Sequence, residues 1–397
     1  WLSESESEKR KTAFVRMLWI HLCADMVDNN AYPQTLHWSF PSAMSVADRM
    51  VLKRIYRSAV ELPFEANIVR PTCHSFTEAE SVCAYSIYRG TEVNASRLAL
   101  GIDVGGSTSD ILIMGSKANI NTLLTQSSVR LAGGFFFKAI NESQSFRRAL
   151  YNFHNSKRTK VSVLNIEDVM SKDPAIYRRS PYYLNNIFDQ LCDSADFVKF
   201  YGYLHTEVPV VFALPAYVTG ILLFYSGMLV KNVLTKNNME SVKEVHMRYY
   251  GKGGRLFEWL LDQYEEVAEN YYKRCFNAGL GSDDIKFVLD NFVNDAERQA
   301  SKIENKSEVA MGLVSGNHLS IAEGEVDPDG ERIIENYDII GEKGFIFAKP
   351  GEESRELNDM DVISNDIFDG GINLSFPDTM ENFNRFLDIF IRFIEVN

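Results

Sequence analysis

The chain is poor in the residues that would make it a disulfide scaffold, a zinc protein or a nucleic-acid binder. Its five cysteines (Cys23, Cys73, Cys83, Cys192, Cys275) are an odd number and contain no C-x-x-C pair. That excludes a fully paired extracellular framework and a zinc knuckle, and it points to reduced thiols in a cytoplasmic setting. Seven histidines are scattered with no H-x-x-x-H spacing, so a metal site built on protein ligands alone is not expected. Positive charge is also short: 41 Lys and Arg against 54 Asp and Glu leave a net charge of −13. Such a balance disfavours binding to a phosphate backbone, and Lys157-Arg158 and Arg178-Arg179 read as solvated faces. Heptads, internal repeats and Pro-rich linkers are missing. So are the GK[ST] ending of a Walker loop, a G-x-G-x-x-G fingerprint and a signal-peptide pattern.

One long stretch lacks charge altogether. Val208 to Val230 holds no charged residue over 23 positions, which meets the length criterion for a membrane span. Pro209, Pro215, Thr219, Gly220, Ser226 and Gly227 interrupt it, and a buried core helix is expected rather than a span.

At 397 residues the chain is long enough for two domains or one two-lobed unit. Strand-like runs alternating with helical ones indicate an α/β class. The most informative stretch is Leu98-Ala-Leu-Gly-Ile-Asp-Val-Gly-Gly-Ser-Thr-Ser-Asp-Ile-Leu-Ile113. An apolar run ends in Asp103, a Gly105-Gly106-Ser107-Thr108 turn follows, and a second apolar run starts at Ile111. Paired glycines let a backbone approach a ligand and turn its N–H groups inward, as in loops that cradle phosphate. Ser107 and Thr108 add hydroxyl donors, and Asp103 is suited to hold a metal-bound water. The simpler alternative is a plain hairpin loop.

The flanks of this hairpin resemble the superfamily of actin, sugar-kinase and heat-shock-chaperone ATPases, most closely the DnaK-type chaperones and bacterial actin-like proteins. Leu36-His-Trp-Ser-Phe-Pro41-Ser-Ala43 resembles the strand ending in the family's "VPA", followed by a helix from Val46 to Ala59 bearing Arg49. Ser75-Phe-Thr-Glu78-Ala-Glu80-Ser-Val-Cys-Ala-Tyr85 resembles the "NEPTAAAIAY" helix start, one residue shorter and without its proline. After the hairpin, Arg130-Leu-Ala-Gly133-Gly134-Phe135 resembles "LGGEDF", and Glu244 to Trp259, with Gly251, Gly253, Gly254 and Arg255, resembles the adenosine motif. Asn305-Lys-Ser-Glu308-Val-Ala310-Met-Gly312-Leu resembles "PDEAVAYGAA", the helix joining the two lobes. The motifs occur in the family's order from Leu36 to Gly312. In that order the Asp103 hairpin corresponds to the second phosphate motif.

The resemblance implies a ribonuclease-H-like fold, with ATP or ADP and Mg²⁺ as cofactors. Asp103 and Glu78 would be catalytic, with Asp103 at the metal and Glu80 the substitute for Glu78. Gly105, Gly106, Ser107, Thr108, Gly133 and Gly134 would hold the phosphates, and Gly251, Gly253, Gly254 and Arg255 the adenosine. The family's first phosphate motif is not found upstream of Pro41, and no methionine stands before Trp1. A fragment holding one wall of the cleft is therefore expected. A rival alignment takes Gly101 to Asp110 as a first phosphate motif of the hydantoinase or sugar-kinase kind, but no second hairpin follows between Ser116 and Asn397.

The expected organisation is a lead-in and helix over 1–30, the remainder of lobe I over 31–97, and a lobe II core over 98–140 and 207–316. An inserted aromatic subdomain over 141–206 (Tyr151, Phe153, Tyr177, Tyr182, Tyr183, Phe188) and acidic loops with a helix over 317–397 complete it. Trp1 to Lys11 reads as disordered, and Thr12 to Val27 as a helix with Phe14, Leu18, Ile20 and Leu22 among its apolar positions. The acidic stretches Glu323 to Glu335 and Glu352 to Asp361 read as loops. Met380 to Val396 reads as a core-docking helix using Phe383, Phe386, Leu387, Phe390, Ile391 and Ile394. The expected function is an ATPase part that couples Mg·ATP to lobe movement, with a protein partner or self-association. The alternatives are a non-catalytic interaction module that kept the fold and a small-molecule phosphotransferase.

Overall fold

The computed structural model describes residues 4–41, 44, 46–61, 71–106, 108–117, 120–129, 131–134, 143–155, 197–208, 213–290, 308–315 and 379–396, with five short strands between 325 and 375. The first element, α1 (Glu4–Asp28), is helical through most of the lead-in expected to be disordered. Its Glu, Lys and Arg residues are good helix formers, and Glu8 and Lys11 pair with Arg54 and Asp48. Val15, Trp19 and Cys23, spaced i, i+4, i+8, are the residues it buries. Phe14, Leu18, Ile20 and Leu22 face solvent instead, Phe14 at 67 % exposure. From Ala13 to Val27 apolar residues occur on every side of the helix, so spacing alone does not say which flank packs.

Strand β1 (Thr35–Phe40) pairs in parallel with β2 (Thr72–Thr77), and α2 (Val46–Val60) lies between them in the chain. Trp38 stacks on Tyr56 at 4.4 Å, and the Arg49 guanidinium lies 5.6 Å over the Phe40 ring. β2 passes directly into α3 (Glu78–Tyr88), which opens with a capping box. The Thr77 hydroxyl accepts from the Glu80 N–H at 3.0 Å, and the Thr77 N–H donates to Glu80 Oε2 at 2.8 Å. Thr77 also donates to Gln126 Oε1 at 2.8 Å, fastening the helix start to the larger sheet. Thr77→Ala should therefore cost about 1–2 kcal/mol in urea denaturation, and Thr77→Ser should restore most of it.

The larger sheet has five strands: β3 (Arg97–Val104), β4 (Ser109–Lys117), β5 (Ile120–Val129), β6 (Glu244–Tyr250) and β7 (Lys286–Leu289). Its order is β5-β4-β3-β6-β7. β3, β4 and β5 form an antiparallel meander, while β6 joins β3, and β7 joins β6, in parallel. Leu98, Leu100, Ile102 and Val104 alternate onto one face, where all four are buried in the main core. That core is closed by α4 (Gln144–Asn155), α5 (Phe197–Glu207), α6 (Ala213–Lys236), α7 (Arg255–Leu280) and α9 (Thr379–Val396). The class is thus α/β with a mixed sheet.

α6 is the charge-free run, and it is long and apolar enough to cross a membrane by length and composition. Here it is largely buried, against α7, α9 and β5. Pro215 sits in its first turn, where a missing N–H costs nothing. The Thr219 and Ser226 hydroxyls donate back to the carbonyls of Pro215 and Leu222. α9 docks as expected through Phe386, with Phe383, Leu387 and Phe390 packed against the core, and it adds Ile389 and Phe393. Phe393 stacks on Tyr271 at 4.2 Å, while Ile391 and Ile394 stay outside.

Of the 141–206 region, α4 and α5 meet through Phe146, Phe153 and Phe200, whereas Tyr177, Tyr182, Tyr183 and Phe188 lie outside the described residues. Strands interrupt the expected acidic loops. β8 (Glu325–Val326) pairs with β9 (Arg332–Ile333), and β10 (Ile346–Ala348) lies between β11 (Arg355–Glu356) and β12 (Asn373–Ser375). Cys23, Cys73, Cys83 and Cys275 are in no disulfide, and Cys192 lies outside the described residues.

The opposite face of the larger sheet presents Ala99, Leu112, Met114 and Tyr250 to α3. A short helix, α8 (Glu308–Val314), packs against α3 and touches β1. The crossing is tight at Gly312, where a Cβ would sit 1.8 Å from the Ser81 carbonyl oxygen. Only glycine fits there.

Candidate functional site

The site lies at the end of β3. Asp103 is followed by the Gly105–Gly106 turn, which closes through a 2.9 Å hydrogen bond from the Gly105 N–H to the Thr108 carbonyl. Ser107 lies outside the described residues. The second glycine pair stacks on this turn: the Gly133 N–H donates to Gly105 O at 3.1 Å and the Gly134 N–H to Gly106 O at 2.7 Å. Ser109 Oγ adds a 2.6 Å bond to the Leu131 carbonyl. Arg130 and Phe135 of that motif lie outside the described residues.

The third glycine turn comes from the end of β6. Gly251 has φ +72°, and a Cβ there would sit 2.3 Å from Asp103 Oδ1 and 2.9 Å from the Val104 carbonyl. Gly253 lies against the same carbonyl, and the Gly254 N–H closes the turn onto Gly251 O at 3.1 Å. Arg255 opens α7; its side chain lies outside the described residues. Thus the three glycine motifs meet at the end of β3, the Gly251 turn against Asp103 and Val104 and the Gly133–Gly134 pair against Gly105 and Gly106. They do so because β3 and β6 are parallel neighbours whose ends coincide, Asp103 opposite Tyr250.

Acidic side chains collect on the α3 side of this turn cluster. Asp110 is the register partner of Asp103 across the hairpin and is 1 % exposed. Glu78 is the first residue of α3 and Glu308 the first of α8, the latter buried. Burial holds the Asp103 carboxyl up at about 7, with repulsion from Asp110 and then Glu308 adding to it. Glu78 is pushed up to about 8, by burial first and then by Asp110 and Asp103. Both carboxyls are thus poised to carry protons near neutrality until a cation compensates them. Glu80, the proposed substitute for Glu78, is committed to the Thr77 cap. Asp110 and Glu308 were not singled out by spacing, although both stand inside motifs that were.

Among the described residues no group of three or more His, Cys, Asp or Glu is arranged as a ready metal cage. The donors present are hard carboxylate oxygens beside loops with exposed backbone. That set suits Mg²⁺ held largely through water and ligand oxygens, the usual mode for that ion.

Neither a protein-family model nor a curated protein matches the chain.

Proposed function

We propose that this chain forms one wall of a Mg²⁺–nucleotide cleft in an ATPase of the actin and DnaK kind, with a ribonuclease-H-like fold. The observation that carries the reading is the meeting of three glycine turns at the end of β3. The strand order supports it as well: a three-strand meander whose first strand then gains two parallel neighbours. The turns at Gly105–Gly106 and Gly133–Gly134, with Ser107 and Thr108, would hold the phosphates. Gly251, Gly253 and Gly254 would admit the adenosine, with Arg255 against the base. Asp103 would bind the metal shell, and Glu78 a water of that shell; Mg²⁺ would neutralise phosphate oxygens during transfer to water. Burial first, then Asp110 beside both carboxyls and Glu308 beside Asp103, would keep them in their raised, proton-ready state.

A protein contact is a compatible second role. α1 exposes Phe14, Met17 and Ile20, which follow one another at three-residue spacing, and large exposed apolar patches mark interaction surfaces.

The experiment is calorimetric titration of Mg·ATP and Mg·ADP into the chain, with Asp103→Ala and Arg255→Ala beside it. Saturable binding is expected, weakened about tenfold in the Arg255 variant, on the scale of one desolvated cation–π contact. No heat at millimolar nucleotide would defeat the nucleotide reading and favour the non-catalytic module.

A further inference from the structure

Helix α1 packs on α2 through Val15, Trp19 and Cys23, and a second pattern runs along the same helix away from them. Arg10, Ala13, Met17, Ile20, Ala24 and Val27 follow one another at spacings of three, four, three, four and three. Alternation of three and four is the a/d repeat that lays a straight packing seam along a helix. At about two and a half heptads the run is too short to mark a coiled coil by sequence. What marks it is exposure: all six residues face solvent, Met17 at 61 %, Ile20 at 56 % and Val27 at 58 %. The contact with α2 leaves this seam uncovered. Charge says what kind of helix fits it. From Lys9 onward, the exposed charges are Lys9, Arg10 and Arg16 in the first half and Asp25 and Asp28 in the second. A copy of α1 running parallel would set Arg10 on Arg10 and Asp28 on Asp28. A copy running antiparallel sets the basic half on the acidic half.

We infer that α1 is a self-association helix, whose partner is α1 of a second copy of this chain, antiparallel across a two-fold axis level with the Leu18–Trp19 peptide. With the axis there, Met17 faces Ile20 of the second copy and Ala13 faces Ala24. Arg10 lies over Val27, with its guanidinium in reach of Asp28. The large residues fill the centre of the seam, and the alanines on either side let the two backbones draw close. Each pairing occurs twice, as in any isologous interface. One helix from each chain is a small contact, so a weak, micromolar dimer is expected. The inference names the partner for the exposed face of α1 noted above and stands apart from the nucleotide reading.

The test is sedimentation equilibrium of the whole chain without nucleotide, over about 1 μM to 1 mM, so its failure and that of the calorimetry are distinguishable. A saturable monomer–dimer equilibrium is expected. Ile20→Glu puts a charge from each chain at the centre of the seam and should weaken the dimer at least about tenfold. Leu18→Glu changes an exposed residue of the same helix that lies off the seam, and should alter association less than about twofold. Arg10→Glu and Asp28→Arg should each weaken it about threefold, and the two together should restore it. Glu and Arg are both good helix formers, so a loss would not come from an unwound α1. Cysteines at the alanines read the direction. Under mild oxidation, Ala13→Cys and Ala24→Cys chains should cross-link when mixed and not when kept apart, the original chain serving as the blank for its native thiols. A chain that stays monomeric throughout the series, or equal effects of the Ile20 and Leu18 variants, would overturn the inference. So would a charge exchange that restores nothing, or cross-links among Ala13→Cys chains alone.

Discussion

A Gly251→Ala chain is expected to lose about 3 kcal/mol of stability and its nucleotide-binding heat together. Two costs add. An L-residue in the left-handed region, which Gly251 occupies at φ +72°, costs roughly 1–2 kcal/mol. The new Cβ would also stand 2.3 Å from Asp103 Oδ1 and 2.9 Å from the Val104 carbonyl. Overpacking of that kind typically costs about 1–3 kcal/mol. The turn would have to lift away from the end of β3, which separates the adenosine loop from the phosphate hairpin. Gly90→Ala is the internal control: its φ is +78° and nothing lies within 4 Å of the added carbon. It should show the conformational cost alone, about 1 kcal/mol, with binding retained. If urea denaturation gives the two variants the same loss, the turns are not packed closely enough to form one cradle.

The second large effect is stabilisation, and it depends on pH. Asp103 has its carboxyl raised from 3.8 to about 7, so the folded chain holds that proton more tightly than the unfolded one. The contribution is fully present below about pH 4 and is lost as the pH rises through about 7. Asp103→Asn carries no such dependence. It should match the original chain near pH 4 and exceed it by on the order of 4 kcal/mol near pH 8, a rise of one pKa unit being about 1.4 kcal/mol. Glu78, raised to about 8, has the same sign and extends the window upward. Urea midpoints at about pH 4, 6 and 8 check this. A difference between the two chains that does not grow with pH would mean that the carboxyls are not crowded in the folded state. The same substitution should abolish Mg·ADP binding, so a more stable chain that binds less is the expected signature of a site held under electrostatic strain.

The hairpin at Asp103, the β6 turn and the start of α3 were legible because each carries its own local chemistry. Glycines break apolar runs at Gly105 and Gly251, and Thr77 and Glu80 spell a helix cap. The burial of α6 was legible from Pro215 and the glycines that interrupt an otherwise uncharged run. What spacing could not supply was the company each residue keeps. Glu308 reaches Asp103 only because α8 crosses α3 at Gly312, more than 200 residues further along the chain. The packing flank of α1 was hidden because apolar residues occur on every side of it. The helical state of Glu4 to Lys11 was hidden because its charges look solvated until Arg54 and Asp48 are brought alongside. Glu80 was offered as an acid for the site, but a capping box absorbs it.

The parallel pairing of β3 with β6 also bears on how the chain is made. Arg97 and Glu244 are register partners 147 residues apart. At translation rates of about 5–20 residues per second, roughly 7–30 s separate the emergence of β3 from that of its inner neighbour. During that interval the meander β3–β5 has both of its ladders complete but β3 lacks its parallel partner, and α7 and α9, which complete the core holding Leu98, Leu100 and Ile102, have still to follow. Its synthesis on the ribosome therefore passes through a state with a bare apolar edge, the form in which a nascent chain most needs a holding factor.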